Sequence, residues 1–440
     1  SSITKFEQML KTNHTYFFDA QEFEDIIIYY LGLGENQLAK KALKMGLKQH
    51  PSSHELLLLQ SEVFILDEKY DAAIKLLDYI EKLNPLDEEI WLQKANIASK
   101  NDDHKSSIKF LNEALKLSED PLEIWNLLGM EHLLAEEFEE ATYFFINCIK
   151  DNPKDYSALY NLLYSYDNLN KIEESILVLN EVLELDPYSE VAWHQLGLVL
   201  LKKEYQKEAL SAFDFAIISD DTFTGAYIEK GKLLESMGRI NEAIDNYEIA
   251  LNTNDPSAFV FQCIGRCHET LGNNTLAIKF YLKAIRLEPC NEKSWITLIE
   301  YCITLGQYKK AKGYFKRALE VNTESVNLWK NGAQIYKSLN QLEKALNAYQ
   351  KLNELGVYEL PILIDHIDLH LQLGNWKKAY DMVNEVYKSF PQSKSLAYRL
   401  GGCSMELGKK NEARYFLSLD QLSQQEQLEL SKLFPSFDLF

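Results

Sequence analysis

A repeat spacing of thirty-four positions is the feature that most constrains the fold of this chain of 440 residues. Five of its six tryptophans, Trp91, Trp125, Trp193, Trp295 and Trp329, are separated by this spacing or by whole multiples of it. A fixed spacing of this kind indicates one structural unit that is repeated in tandem. An array also accommodates the length, because a single core stops growing at about 250 to 300 residues.

Small residues and large rings hold the same register as the tryptophans. Sixteen residues after the tryptophan position, every period carries Ala or Ser: Ala39, Ala73, Ser107, Ala141, Ser175, Ala209, Ala243, Ala277, Ala311, Ala345, Ala379 and Ala413. Four residues after it, eight periods carry Ser61, Ala95, Gly129, Gly197, Gly231, Gly265, Ala333 and Gly401. Twenty residues after it come Phe145, Phe213, Tyr247, Tyr281, Phe315 and Tyr349. Small residues at these positions allow close approach of two helix axes, so each period is predicted to contain a helix pair.

Turn and stop residues complete the period. Eleven residues after the tryptophan position lie residues that tolerate the left-handed conformation that ends a helix: Gly34, Asn170, Gly238, Gly272, Gly306, Asn340, Gly374 and Gly408. Twenty-eight residues after it, prolines end the second helix: Pro51, Pro85, Pro153, Pro187, Pro289 and Pro391. Each period is therefore predicted to be a helix-turn-helix unit.

This pattern of ring, small residue, Gly turn, Ala, ring and Pro resembles the tetratricopeptide repeat. Twelve copies fit without insertion, at residues 20–53, 54–87, 88–121, 122–155, 156–189, 190–223, 224–257, 258–291, 292–325, 326–359, 360–393 and 394–427. The resemblance implies an all-α fold, a right-handed superhelical solenoid of antiparallel helix pairs with short capping helices at both ends.

Both ends of the array are predicted to be covered, because a terminal repeat otherwise leaves an apolar face in water. Residues 1–19 contain a short amphipathic helix and a lead-in to Asp19, a candidate N-cap. In residues 423–440, Ser423 and Glu426 form a candidate capping box. Leu428, Leu433 and Phe434 can cover the last repeat, and the apolar tail 434–440 either packs there too or docks into a partner.

Charge and cysteine usage limit the partners and the compartment. The formal net charge is −20, from 66 acidic and 46 basic residues, so phosphate backbones and anionic lipids are repelled. We therefore expect neither nucleic acid nor a membrane as partner. Six cysteines without paired spacing indicate a reducing compartment, and hence a cytoplasmic protein. The composition, rich in Asn, Lys, Ile and Tyr, resembles that of bacterial repeat proteins.

No set of residues predicts catalysis. A phosphate-binding glycine loop is missing, and no nucleophile, base and orienting group can be recognised together. His366 and His370 lie one helical turn apart, but they replace inward-facing positions and no third metal ligand is evident. Cys263 and Cys267 are interpreted as buried thiols. We therefore expect no metal, no cofactor and no enzymatic activity.

A binding surface follows from the resemblance, which implies that positions 2, 5, 6, 9, 12 and 13 of each repeat face a concave groove. In repeats two to six these positions combine apolar and aromatic side chains with amides, a mixture that suits an extended peptide. The predicted groove residues there are Leu58, Leu92, Asn96, Asn126, Met130, Tyr160, Asn161, Tyr164, His194 and Leu198.

Repeats seven to ten present a more basic surface at the same positions. Its predicted residues are Lys232, Arg266, Lys293, Lys330, Asn331 and Lys337. Positive charge in a groove favours an acidic segment of the partner. Glu229, Glu235, Glu269 and Glu300 lie nearby in the sequence, so neutralisation within the chain is the alternative.

The function expected from these features is that of a scaffold or adaptor, which binds a peptide segment or helix of a partner protein in its groove. The partner is expected to carry an apolar segment next to an acidic one. Two alternatives are open: a non-catalytic recruiting or regulatory arm of an enzyme complex, and a structural protein that self-assembles through its C-terminal tail.

Overall fold

A computed structural model describes residues 2–12, 16–252, 257–419 and 423–435 of the chain. These residues form 26 helices, and none of the residues so described is in a β-strand. The expected all-α class is thereby confirmed. None of the helices in this part of the chain combines the length and the apolarity that crossing a bilayer requires.

The helices follow one another in pairs after a leading helix, α1 (Ser2–Thr12). The first helices of the pairs are α2 (Ala20–Gly32), α4 (His54–Leu66), α6 (Glu88–Lys100), α8 (Leu122–Leu134), α10 (Tyr156–Asn168), α12 (Glu190–Lys202), α14 (Thr224–Ser236), α16 (Ala258–Thr270), α18 (Glu292–Thr304), α20 (Val326–Ser338), α22 (Leu360–Gln372) and α24 (Lys394–Glu406). The second helices are α3 (Asn36–Gln49), α5 (Tyr70–Leu83), α7 (His104–Leu117), α9 (Phe138–Asp151), α11 (Ile172–Leu185), α13 (Gln206–Ser219), α15 (Ile240–Asn252), α17 (Asn274–Leu287), α19 (Tyr308–Val321), α21 (Leu342–Glu354), α23 (Trp376–Ser389) and α25 (Lys410–Ser418). The last helix, α26, is Gln424–Ser431.

The helix bounds share one register. The first helices are all equally long, and each begins one full repeat spacing after the previous first helix, as His54 follows Ala20 and Glu88 follows His54. The second helices keep a constant offset from their own first helices, as Asn36 follows Ala20 and Tyr70 follows His54. Every first helix begins at the first residue of a repeat predicted from the sequence.

The turn inside each pair uses a left-handed residue. Gly34, Gly238 and the other predicted glycines have φ between 68° and 76° there, and Asn170 and Asn340 have φ of 54° and 53°. The remaining four pairs place Glu68, Asp102, Glu136 and Glu204 at φ of 57° to 62°. These four residues carry a Cβ and so adopt the conformation at a cost of about 1 to 2 kcal/mol each. The sequence pattern did not identify these turns, because three of the four residues are Glu, which rarely adopts the left-handed conformation.

Close contact between the two helices of a pair depends on glycine, which has no side chain. A Cβ added at Gly129 would lie 2.7 Å from the ring of Phe145, and one added at Gly197 would lie 2.5 Å from the ring of Phe213. Real carbon atoms do not approach so closely, so glycine is what lets these rings lie flat on the first helix. Both rings are fully buried. The predicted pairing of small and large residues is therefore present.

The N-terminal end is covered by α1. Phe6 is fully buried, and its ring lies 6.3 Å from that of Phe18 and 6.1 Å from that of Tyr30. The predicted cap is also present, because the Asp19 side chain accepts a hydrogen bond from the Glu22 backbone and the Glu22 side chain accepts one from Asp19. Helix α2 therefore begins with a complete capping box.

The C-terminal end is covered by α26 and by the residues that follow it. Ser423 and Glu426 form the predicted capping box. Phe434 is only 1% exposed and lies against Gly402 of α24, as expected. The prediction for Leu428 was wrong, since this side chain is 63% exposed. The rest of the apolar tail, residues 436–440, lies outside the described residues.

The chain divides into two compact units. Unit 1 is Ser1–Glu229 and unit 2 is Lys230–Phe440. The division falls within α14, the seventh of the first helices. The predicted groove residues Leu58 to Leu198 belong to unit 1, and Lys232 to Asn331 belong to unit 2.

Candidate peptide-binding surface

In unit 1 the predicted groove residues all lie on first helices, from α4 to α12. The largest exposed side chains among them are on α8 and α10. Tyr160 is 44% exposed and Tyr164 is 55% exposed, although both are large and partly apolar. The ring of Tyr164 lies 6.3 Å from that of Phe138 and nearly perpendicular to it. Desolvation by the neighbouring protein raises the pKa of the Tyr160 hydroxyl.

Two of the predicted amides, Asn126 and Asn161, lie on α8 and α10. The Asn161 side chain donates to the Met130 sulfur over 3.2 Å, a weak bond that a better acceptor can replace. The Asn126 side chain donates to Asp155 over 3.2 Å. Each amide retains an oxygen that can accept a hydrogen bond from a peptide backbone. Rings and amides on two adjacent first helices therefore form one mixed surface.

His194 is less available than its position suggested. Its ring lies 5.3 Å from that of Phe223 and 5.9 Å from that of Phe213, and the side chain is half-buried. The imidazole thus takes part in packing within unit 1. Leu58, Leu92 and Leu198 are also half-buried, whereas Asn96 is exposed.

In unit 2 most of the predicted cations have carboxylate partners, on a neighbouring repeat for Arg266 and Lys337 and at the end of its own repeat for Lys330. Arg266 donates two hydrogen bonds to Glu235, at 2.5 and 2.9 Å. The ammonium of Lys330 lies 2.8 Å from Glu359, and the ammonium of Lys337 lies 2.6 Å from Asp365. The hydrogen bonds to Glu235 and the negative charge of this carboxylate raise the pKa of Arg266 further. These pairs neutralise the positive charges within the chain, which is the alternative that the sequence left open.

The other residues predicted in unit 2 differ in exposure. The Lys232 ammonium lies 5.0 Å from the centre of the Phe259 ring, in a cation–π contact. Lys293 is exposed and forms no ion pair within the described residues. Asn331 is buried and donates to Glu300 over 3.4 Å, so it contributes to packing rather than to the surface.

An acidic cleft in unit 1 was missed by the sequence analysis. It has a volume of about 380 Å³, and the predicted residues Leu92 and Asn96 line it together with Glu89 and Gln93. The available signal was in the register itself, because position 2 of repeats two, three and four is occupied by Glu55, Glu89 and Glu123. Apolar and amide residues such as Leu92 and Asn96 occupy other groove positions of the same repeats, so the row of carboxylates does not stand out in the sequence.

The two histidines and two cysteines considered in the sequence, His366, His370, Cys263 and Cys267, are buried in packing positions. The His366 and His370 rings stack with centres 5.2 Å apart. Burial, with the neighbouring His370, lowers the pKa of His366 to about 4. Burial also raises the pKa of the Cys267 thiol to about 12, which makes it a poor nucleophile at neutral pH. Among the described residues, no three His, Cys, Asp or Glu side chains are placed to hold a metal ion.

The fold and this surface define the class of α-helical tandem-repeat proteins, in which similar helix pairs present a row of first helices to a partner. Sequence models of the tetratricopeptide repeat match residues 25–88, 88–121, 156–189, 224–254, 264–290, 295–325 and 331–355, which together exceed half of the chain. The chain therefore belongs to the tetratricopeptide repeat family. Repeats of this family act as protein-interaction scaffolds.

Similar proteins include subunits of large complexes. Anaphase-promoting complex subunit 3 of Schizosaccharomyces pombe is 25% identical over 205 residues, which cover 47% of this chain and 31% of that protein. BBSome complex member BBS4 of Bos taurus is 22% identical over 286 residues, covering 64% of this chain and 54% of that protein. The chain thus spans a third to about half the length of these relatives. The crystal structure of YrrB, a TPR protein with an unusual peptide-binding site, is similar at 19% identity and a TM-score of 0.35, covering 42% of this chain and 95% of that one.

Proposed function

We propose that the chain is a non-catalytic scaffold or adaptor that binds an extended segment or a helix of a partner protein on the first-helix surface of unit 1. The observation that carries this proposal is the exposure of Tyr160 and Tyr164 on α10, beside the amide of Asn161. Exposed tyrosines are frequent anchors of protein interfaces, since they offer large area at little cost in conformational entropy.

The amides give the surface a second means of recognition. An extended peptide presents an N–H or a C=O at every residue, and Asn side chains can both donate to and accept from these groups. Among the described residues, the side-chain nitrogen of Asn161 donates to a thioether alone. Binding a peptide would exchange this weak bond for a stronger one, so polar recognition adds to the apolar contact of the rings.

The test is a double substitution, Tyr160→Ala with Tyr164→Ala, followed by affinity capture and quantitative mass spectrometry. Loss of two interface tyrosines should reduce recovery of the specific partner at least about tenfold, the equivalent of about 1.4 kcal/mol. Because both rings are exposed in the free protein, the helical circular dichroism should not change.

The matched control is Tyr143→Ala with Tyr188→Ala. These two tyrosines are also exposed, but Tyr143 lies on the second helix α9 and Tyr188 between α11 and α12. The control variant should recover the same partners in the same amounts as the unchanged protein. Equal recovery with all three proteins would show that partners bind elsewhere and would remove the proposal.

A second candidate function is that of a recruiting or regulatory arm in a multisubunit enzyme complex. It is favoured by the relatives, since two of them are by name a subunit and a member of a complex. In that case the captured proteins should co-elute with the chain in size-exclusion chromatography as one stoichiometric assembly. A scaffold for a short peptide segment would instead recover single partners.

The more specific predictions, on the charge of the partner, the cellular location, self-association and origin, differ in how well they are supported. An acidic segment bound to unit 2 remains a prediction, but the pairs of Arg266, Lys330 and Lys337 with carboxylates remove much of the positive charge on which it was based. A cytoplasmic location is supported by six cysteines that are all free thiols. Self-association through the tail and a bacterial origin stay predictions, as does the absence of nucleic-acid and membrane partners.

A further inference from the structure

The acidic cleft of unit 1 is lined by α4, α6, α7 and α8, and α8 is in contact with α10, which carries the exposed rings. Four carboxylates, from Glu62, Glu89, Glu123 and Glu131, line it. No Lys, Arg or His is among the described residues of its lining. Of the four, Glu131 has a basic partner, His104, whose Nδ1 lies 2.9 Å away. The cleft is therefore a concentration of negative charge with little compensation from its own walls.

The carboxylates act on one another across the cleft. Desolvation by the surrounding protein raises the pKa of Glu62. Desolvation also raises the pKa of Glu89; the hydrogen bond from Gln93 lowers it, and the negative charges of Glu62, Asp87 and Glu123 raise it further. Carboxylates in this situation are poorly stabilised as anions. A bound cation would supply the missing stabilisation.

Gln93 points independently to a ligand. Its side chain is only 6% exposed and lies in the lining of the cleft. The amide nitrogen donates to Glu89 over 2.9 Å and to the Leu58 carbonyl over 3.3 Å. The amide oxygen is buried and accepts no hydrogen bond from any described residue. A buried acceptor left without a donor costs free energy, so a ligand that brings an N–H is favoured.

The kind of cation follows from the spread of these groups. No three carboxylates in the described part of the chain are close enough to hold one metal ion. The acceptors instead extend from Glu62 on α4 through Gln93 and Glu89 on α6 to Glu123 on α8. A planar guanidinium offers several N–H donors in different directions, which matches separated acceptors better than a single metal ion does.

We infer that this cleft binds an arginine side chain of the partner segment whose apolar residues contact Tyr160 and Tyr164. The inference rests on the proposed function, since it assumes that a peptide lies on the first helices of unit 1. It differs from the segment predicted from the sequence, because it places a basic residue, not an acidic one, next to the apolar contact. Carboxylates and the Gln93 amide oxygen together would bind the guanidinium.

The experiment uses the full chain and a labelled nonapeptide of alternating leucine and arginine, with binding measured by fluorescence anisotropy. The comparison peptide carries citrulline in place of arginine, which keeps the shape and removes the charge. In the cleft variant, Glu62→Gln with Glu89→Gln, affinity for the arginine peptide should fall about tenfold or more, as expected for two partly desolvated ion pairs. Affinity for the citrulline peptide should change less than about twofold.

Two control variants make the result specific. Glu119→Gln with Glu140→Gln removes the same charge from exposed positions outside the cleft and should leave both affinities within about twofold. Gln93→Met removes the amide at similar volume and should weaken the arginine peptide at least about threefold. Equal losses in the cleft variant and in the Glu119 and Glu140 variant would overturn the inference, because the attraction would then be to net charge alone.

The Tyr160→Ala and Tyr164→Ala variant separates this inference from the proposed function. Loss of arginine-peptide binding in the tyrosine variant, with full binding in the cleft variant, would overturn the arginine site and leave the peptide surface standing. Full binding in both variants would overturn both. Loss in both, with the Glu119 and Glu140 control unchanged, is the result that the structure leads us to expect.

Discussion

Gly197 shows how a single residue can set the spacing of two helices. A Cβ at this position would lie 2.5 Å from Cε1 of Phe213, whose ring is fully buried. Replacing Gly by Ala inside a helix normally stabilises it by about 1 kcal/mol. Here the added methyl must displace a fully buried aromatic ring, and overpacking of this kind costs about 1 to 3 kcal/mol.

We therefore predict that Gly197→Ala lowers the stability of unit 1 by about 1 kcal/mol, because the overpacking outweighs the gain in helix propensity. The measurement is the urea midpoint, supported by hydrogen exchange of the amides in α12 and α13. Gly313→Ala is the matched control, since Gly313 lies within α19 and has nothing within 4 Å of its added Cβ. That variant should be stabilised by up to about 1 kcal/mol. Stabilisation of both variants would contradict the packing argument.

At the scale of the helix, the sequence was informative where the structure depends on residue type at a fixed position. Each pair needs a left-handed residue, such as Gly34, at its turn and a small residue where a ring packs on the first helix. The helix starts could therefore be predicted from the spacing of these residue types. The left-handed turns at Glu68 and Glu204 could not be predicted from the sequence. Their backbone conformation is set by the packing that every helix pair repeats, and not by the preference of the residue.

The candidate site was less predictable than the helices that carry it. Whether Lys330 is free depends on Glu359, which belongs to the connection into the next first helix and is brought close only by the packing of the array. The same holds for Asn331, which the register placed in the groove and the packing buries against Glu300. Such pairs depend on side-chain rotamers and on the packing of neighbouring helices, and a linear sequence pattern contains neither.

The cover of the last helix pair provides a prediction at this scale. Phe434 is buried against Gly402 of α24, and its ring lies 6.1 Å from that of Trp376. Phe434→Ala would leave this face of α24 without its apolar cover and should cost about 3 to 5 kcal/mol. Hydrogen exchange should accelerate in α23, α24 and α25, which pack together in this cluster.

Leu428→Ala is the control for this experiment, because Leu428 is in the same terminal segment but its side chain is mostly exposed. Exposed substitutions of this type change stability by less than about 0.5 kcal/mol. Similar acceleration in both variants would mean that α26 contributes by its helix alone. Acceleration in Phe434→Ala only would assign the effect to the buried ring.

At the scale of the whole molecule, the excess of 20 negative charges produces a field that acts before any contact forms. The field should attract the leucine–arginine peptide and have no effect on its citrulline counterpart. Mobile ions screen such attraction, because the Debye length falls from about 20 Å at 20 mM salt to about 4 Å at 500 mM. This long-range electrostatic attraction therefore contributes mainly to the rate of association at low salt.

We predict that the association rate constant of the arginine peptide falls about tenfold or more over this range of salt, while the dissociation rate constant changes less. Stopped-flow anisotropy measures both. The Glu62→Gln and Glu89→Gln variant keeps 18 of the 20 excess charges, that is 20 minus 2, so its association rate should retain most of the salt dependence. Its dissociation should be faster, because the contacts inside the cleft are lost. A cleft variant that changed only the association rate would show that Glu62 and Glu89 act through the general field and not through direct contact.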